Sequence, residues 1–392
     1  MNRIGQYLEA LLQGSTPEAP LWNIEKIRQG KKAEWDYIDG CMMKAVLALY
    51  EITGEQRYLE FADHYIDYRI AEDGTILGFQ KETYNLDNIN EGKVLFPLYD
   101  LTGKEKYRKA IERIYEQVKE QPRTKEGNFW HKQIYPYQVW LDGTYMVQPF
   151  YMEYETRFHD CANYQDIFSQ FKNVYDLMRD EKTGLYYHGY DSSRQMFWCD
   201  KETGLAKNFW LRALGWYAMA LLDTMEACLS ESHTPKYLKE AKQAAAGAEA
   251  GFEQLKKAFH ELMEAVAAYQ DESGMWYQVI NMGDRAENYL ETSGSAIMAY
   301  AMLKGVRLGL LEEKYAELGR KAFDGICKRY LTAEDGTLHL DGICLVAGLG
   351  GGTDERRNGT FEYYMSEPIV KDDAKGVGPF LLAYTELLYE GK

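Results

Sequence analysis

Two kinds of helical pattern alternate along the chain. Segments such as Gly215-Trp216-Tyr217-Ala218-Met219-Ala220-Leu221-Leu222 and Ser295-Ala296-Ile297-Met298-Ala299-Tyr300-Ala301-Met302-Leu303 are apolar almost throughout. A helix apolar on all sides is a buried one. Between them lie segments such as Lys104 to Lys119, with apolar residues at helical spacing on one face and charges on the other. Such a helix covers a core while facing water. The pattern predicts an inner layer of buried helices wrapped by an outer layer of amphipathic ones.

A repeat sets the unit. Leu49-Tyr50-Glu51-Ile52-Thr53-Gly54-Glu55-Gln56-Arg57-Tyr58 matches Leu98-Tyr99-Asp100-Leu101-Thr102-Gly103-Lys104-Glu105-Lys106-Tyr107. Each copy joins two helical patterns, and its glycine supplies the positive φ that ends a helix. The unit is a helical hairpin of about 50 residues. Starts of the buried kind are marked by Gly40, Gly92, Gly143, Gly215, Gly294 and Gly376, and polar turns carrying Gly74, Gly127, Gly184, Gly274 and Gly336 recur between them. Six stacked hairpins predict an all-α fold, an (α/α)6 barrel, in a single domain over residues 1–392. The N-terminal helix is expected to pair with the last one, Gly378 to Leu388, and close the ring. The Ala/Lys/Glu-rich stretch from Lys236 to Ala268 reads as one long helix, or as two broken at Gly247 and Gly251.

Charge narrows the function. Against 61 acidic residues stand 45 basic ones, a net of −16, which argues against nucleic acid or an anionic membrane as partner. No run of apolar residues is long enough to span a bilayer, and the N-terminus lacks the apolar core and cleavage site of a secretory leader. The six cysteines are scattered without a CxxC pair, so neither a disulfide framework nor a zinc site is expected. A cytoplasmic protein, monomeric or weakly self-associating, fits these features. The 32 Tyr and 8 Trp suit a sugar-binding cleft, although a large helical core also absorbs such rings.

Ionisable and aromatic residues collect where the inner helices begin. Leu86-Asp87-Asn88-Ile89-Asn90 and Tyr135-Pro136-Tyr137-Gln138-Val139-Trp140-Leu141-Asp142-Gly143 put an aspartate at successive helix mouths. Either one alone reads as an N-cap. Together, flanked by Trp130, His131, Trp140 and His188, they could bring two carboxylates to one substrate. Arg212, between Trp210 and Trp216, is either a clamp for a substrate carboxylate or half of a structural ion pair. Gly348-Leu349-Gly350-Gly351-Gly352-Thr353 lacks the lysine of a phosphate loop and reads as a flexible loop over the mouth.

These segments resemble the unsaturated glycuronyl hydrolases, specifically glycoside hydrolase family 105, the unsaturated rhamnogalacturonyl hydrolases. The matching stretches are Trp35 to Gly40, Leu86 to Asn90, His131 to Gly143, Trp210 to Trp216 and Phe361 to Pro368. The resemblance implies an (α/α)6 barrel without metal or organic cofactor, Asp142 as general acid/base and Asp87 as second carboxylate. It further implies that His188 and Arg212 hold the substrate carboxylate and that Trp210 and Trp216 line the pocket. His131, Lys132, Trp140 and Tyr37 complete the expected substrate-binding set. Leu214 stands where the family commonly has Asn, a departure that bears on neighbouring sugar contacts.

The implied substrate is a small anionic oligosaccharide: a short pectin-derived fragment, such as a rhamnogalacturonan disaccharide, ending in 4,5-unsaturated galacturonate or a related uronate. Protonation of its enol ether at C4 and addition of water at C5 give a hemiketal that opens and releases the next sugar. One carboxyl can deliver the first proton and take the second from water. Asp87 nearby is expected to raise the proton affinity of Asp142 by like-charge repulsion. Arg212, Lys132, His131 and His188 are expected to form a basic pocket inside an acidic protein. Two rivals share the fold: a sugar epimerase using His131 and His188 as paired bases, and a non-catalytic helical-repeat scaffold.

Overall fold

A computed structural model describes residues 3–229, 242–351 and 355–391. The inner helices are Tyr37–Thr53, a broken second one, Leu141–Phe158, Leu211–Leu229, Thr292–Arg307 and Ala374–Glu390. The second runs as Asp87–Asn90, a 3-10 turn at Glu91–Val94, and Leu95–Thr102. Each packs on the next, and the last on the first. Outside them lie Gln56–Asp67, Glu105–Glu120, Tyr164–Met178, Lys242–Ala267 and Lys314–Tyr330. The result is an (α/α)6 barrel.

The repeated Thr-Gly turn folds identically in both copies. Thr53 and Thr102 each donate a hydroxyl hydrogen bond of 2.6 Å to the carbonyl four residues back. Gly54 and Gly103 follow at φ 70° and 67°, the left-handed cap that non-glycine residues resist. The glycines at the inner-helix starts act differently. They have ordinary helical φ and serve close approach: a Cβ on Gly40 would stand 2.8 Å from the Cα of Glu91, and one on Gly378 2.7 Å from the carbonyl oxygen of Cys41. That second contact closes the inner ring directly, first helix on last. The N-terminal helix Arg3–Gln13 is fastened beside the seam, through Tyr7 to Asp372 at 2.7 Å and Glu9 to Arg57 at 2.5 Å.

Lys242–Ala267 is one unbroken helix. Gly251 lies against Phe168, where a side chain would strike the ring, so it marks a contact and not a break. The preceding residues 236–241 lie outside the described ones. Among the described residues no helix is long and apolar enough to cross a membrane.

One buried charge network supports the first mouth. Arg69, 2% exposed, reaches Asp39 at 3.3 Å, Glu91 at 4.0 Å and the carbonyls of Pro17 and Ala33 at 2.6 and 3.3 Å. Burial pushes the carboxyls of Asp39 and Glu91 upward, and Arg69 opposes it. The network ties the first inner helix to the broken second one, on which Asp87 stands.

Candidate active site

A cavity of about 250 Å³ opens where the inner helices begin. Tyr37, Asp87, His131, Lys132, Trp140, Asp142, Trp210, Arg212 and Trp216 line it, and His188 stands directly behind Asp142. Residues far apart in the chain thus form one wall. Leu214 is fully buried in the inner ring and is not part of the cavity lining.

Neither aspartate is a helix cap. The third inner helix has Trp140 as its extended N-cap, with no side-chain cap bond, so Asp142 is already the second helical residue. The second helix begins at Asp87 after Leu86. Both carboxylates are therefore free to face the cavity. A short ribbon decides what Asp142 meets. Gln138–Trp140 pairs antiparallel with Gly189–Asp191, and the Leu141 amide donates to the His188 carbonyl at 3.2 Å. This sets His188 Nε2 3.3 Å from Asp142 Oδ2. On the far side of the ring, His188 Nδ1 lies 2.8 Å from the Tyr364 hydroxyl. Asp142 Oδ2 and His188 Nε2 are both buried without a hydrogen-bond partner. Buried polar atoms are nearly always paired, and leaving one unpaired costs about 1–3 kcal/mol.

Asp87 differs. Its Oδ2 pairs with Lys132 Nζ at 2.5 Å, and its Oδ1 lies 3.6 Å from His131 Nε2. Burial opposes ionisation, but Lys132 and His131 outweigh it and hold the carboxyl below its usual range. Asp87 is thus an ionised group with its own counter-ion.

The expected basic pocket is also reduced. His131 is 2% exposed and stacked on Trp140 with ring centroids 4.2 Å apart. Burial pushes it down to about 4, so it is neutral at pH 7, and the charge of Lys132 is taken by Asp87. Arg212 is buried and makes three hydrogen bonds to the protein. It donates through Nη1 to Ser293 Oγ at 3.1 Å and to the Cys344 carbonyl, and through Nη2 to the Leu345 carbonyl at 3.3 Å. Its guanidinium lies 4.7 Å from the Trp210 ring. Neither mouth aspartate is its ion-pair partner. Trp216 stacks on Tyr145 at 5.1 Å, and Trp210 donates its indole N–H to Gln278 at 3.1 Å.

His131 carries a stability prediction. An unfolded imidazole titrates near 6.5 and this one near 4, so the unfolded chain takes up the proton first as pH falls. The stability is complete above about 6.5 and is lost toward pH 4. Between pH 7.5 and 5 the group accounts for about 2 kcal/mol of that loss. His131→Gln should flatten the decline by that amount in urea unfolding. An unchanged slope would mean the ring is not buried neutral.

Sequence reading missed Glu25, Tyr135 and Arg357, which also line the cavity, and Tyr364 behind His188. Tyr364 belongs to the Phe361 to Pro368 stretch, whose pattern was visible. Glu25 and Arg357 come from segments with no local mark. Of the glycine-rich loop, residues 348–351 are described and are held at two carbonyls, and residues 352 and 353 lie outside the described ones. Tyr363 donates to the Gly348 carbonyl at 2.6 Å and Trp198 to that of Gly350 at 3.0 Å.

The family described as Glycosyl Hydrolase Family 88 matches residues 20–390, almost the whole chain. This chain belongs to glycosyl hydrolase family 88. The family 88 protein is similar to a C. acetobutylicum ATCC 824 glycoside hydrolase from family 105, at 42% identity and a TM-score of 0.84, covering 100% of this chain and 99% of that one. It is 39% identical to Protein Atu3128 of Agrobacterium fabrum over 248 residues, 62% of this chain and 98% of that protein. It is 26% identical to the unsaturated rhamnogalacturonyl hydrolase YesR of Bacillus subtilis over 290 residues, 72% of this chain and 73% of that one. Membership in a hydrolase family leaves no room for the non-catalytic scaffold reading.

Proposed function

We propose that this family 88 enzyme releases 4,5-unsaturated galacturonate, or a related unsaturated uronate, from the non-reducing end of short pectin-derived oligosaccharides such as a rhamnogalacturonan disaccharide. The observation that carries the reading is the Asp142–His188 pair. Two buried polar atoms 3.3 Å apart, each without a hydrogen bond, meet beside a sugar-sized cavity walled by Trp140, Trp210 and Trp216. The activity that YesR is named for supports the substrate class.

In this mechanism Asp142 arrives protonated and delivers its proton to C4 of the enol ether. Oxocarbenium character develops at C5 and the ring oxygen, and water adds at C5 as Asp142 takes a proton back. His188, oriented through Nδ1 by Tyr364, holds the Asp142 carboxyl in place. Asp87, kept ionised by Lys132, accepts a hydrogen bond from a sugar hydroxyl. Arg212 holds the loop that closes the carboxylate side of the cavity. The hemiketal then opens and the next sugar leaves. Because the attack is not at C1, the separation of the two carboxylates does not report retention or inversion.

The test is the enol-ether ultraviolet band of an unsaturated digalacturonide or uronyl-rhamnose. Turnover should bleach it. In heavy water the released uronate should carry deuterium at C4, and heavy-oxygen label should enter at C5 with none in the hydroxyl of the released sugar. A uronate released still unsaturated, without deuterium at C4, would refute hydration even though the glycosidic bond is cut.

A further inference from the structure

The charges in the cavity wall are nearly all balanced. Lys132 is paired with Asp87, and Glu25 holds Lys375 at 2.7 Å. Arg212 is spent on Ser293 and two loop carbonyls, with the buried carboxylate of Glu291 nearby. Arg357 is the exception. It lines the cavity, yet among the described residues no carboxylate lies within ion-pairing distance. Its polar neighbours are hydroxyls: Nη1 lies 3.5 Å from that of Tyr135, and its buried Nε has no hydrogen-bond partner. The adjacent Arg356 behaves in the ordinary way, paired with Glu367 at 2.7 Å.

The backbone around Arg357 is shaped to present it. Gly350 donates to the Arg357 carbonyl at 2.8 Å, which closes the glycine-rich loop on itself. A Cβ on Gly348 would stand 2.8 Å from Arg357 Nη2 and 3.2 Å from the Trp140 ring. The bare backbone leaves room for the guanidinium and the indole side by side there. On the other flank, Asn208, just before the fourth inner helix, donates to the Gly359 carbonyl at 2.8 Å. The glycine run thus acts as a cradle for an arginine. A half-buried guanidinium without a counter-ion is costly until a planar anion meets it, and the fork of Arg fits a carboxylate.

Resting on the proposed uronide substrate, we infer that Arg357 is the charge partner of a substrate carboxylate and determines specificity for acidic over neutral sugars. The division of labour is physical. Arg212 gives three hydrogen bonds to protein acceptors and shapes the cavity, whereas Arg357 brings a positive charge that no carboxylate among the described residues meets at ion-pair distance, Glu367 acting on it from farther off. This also reconciles an anionic substrate with a chain of net charge −16: one charge, placed at the wall, outweighs a distant field screened over about 8–10 Å.

Arg357→Gln and Arg357→Lys are compared with wild type on three substrates: an unsaturated uronyl-rhamnose, an unsaturated digalacturonide, and the methyl ester of the uronyl-rhamnose. The Gln variant should raise KM about 10- to 100-fold for a substrate bearing the recognised carboxylate and leave the ester within about threefold. The Lys variant should recover part of the acid-over-ester preference. A loss already seen with uronyl-rhamnose assigns the carboxylate to the unsaturated ring; a loss confined to the digalacturonide assigns it to the leaving sugar. Equal losses on acid and ester overturn the inference. Calorimetric binding of D-galacturonate against its methyl ester needs no turnover. A wild type that prefers the acid, with that preference lost in Arg357→Gln, but that bleaches no unsaturated substrate would retain Arg357 and discard the hydrolase reading.

Discussion

Asp142→Asn lowers kcat by roughly 10²- to 10⁴-fold, the usual worth of a positioned general acid–base group, and leaves KM and the thermal midpoint near wild type. The substitution is isosteric. Asp142 lies in the first turn of an inner helix whose N-cap is Trp140, so no helix-capping bond is lost with the carboxylate. Its Oδ2 makes no hydrogen bond that the fold depends on. What goes is the transferable proton. Steady-state rates from the ultraviolet assay, with binding of substrate to the inactive variant measured by calorimetry, separate the two parameters. An Asn variant within tenfold of wild type would take the acid/base role away from Asp142.

The largest effect on stability is expected at Arg69. Arg69→Met removes the only guanidinium that both Asp39 and Glu91 face among the described residues, at 3.3 and 4.0 Å. Both carboxylates are fully buried. Breaking such a pair from one side costs about 3–5 kcal/mol, because a charge is left behind in a poor solvent. Burial already raises both carboxyls, and without Arg69 they rise further. A raised carboxyl favours the native state while it is protonated and penalises it once pH climbs through its native pKa. The deficit of the variant should therefore be largest at pH 8 and shrink toward pH 5 in urea unfolding. A loss under 1 kcal/mol at pH 8 would show that the two carboxyls stay neutral without help.

The layering and the repeated turn are legible in the chain for physical reasons. Continuous apolar runs can only be buried helices, and one-sided ones can only cover them, so the layering followed from periodicity. The Thr-Gly turn is a local device, a hydroxyl back-bond plus a left-handed glycine, and local devices read directly from a short string. The inner-start glycines were located correctly but for another reason. Their function is contact between helices, and contact is not encoded next to them.

The candidate site divides along the same line. Acids and aromatics gathered at helix starts were enough to name Asp87 and Asp142, because a closed ring of hairpins gathers those starts at one end. Whether Asp142 caps or projects depends on where its helix starts, with the cap two residues earlier at Trp140, and that start is set by the ribbon pairing Trp140 with Gly189. Charge state was beyond reach as well. His131 counts as a possible cation in any sequence, but burial against Trp140 makes it neutral, and Lys132 is cancelled by Asp87 only once the two meet.

The sequence by itself therefore determined the barrel, the end at which the candidate site gathers, and the residue types present there. Tertiary structure alone decided which of those groups are paired and which are left over. Periodicity and turn chemistry act over a few residues, whereas desolvation and Coulomb pairing act through space between segments as distant as Glu25 and Lys375, or Trp140 and Arg357. Among the described residues the leftover groups are Asp142 and His188, which face each other without a hydrogen bond, and the guanidinium of Arg357, which no carboxylate meets at ion-pair distance.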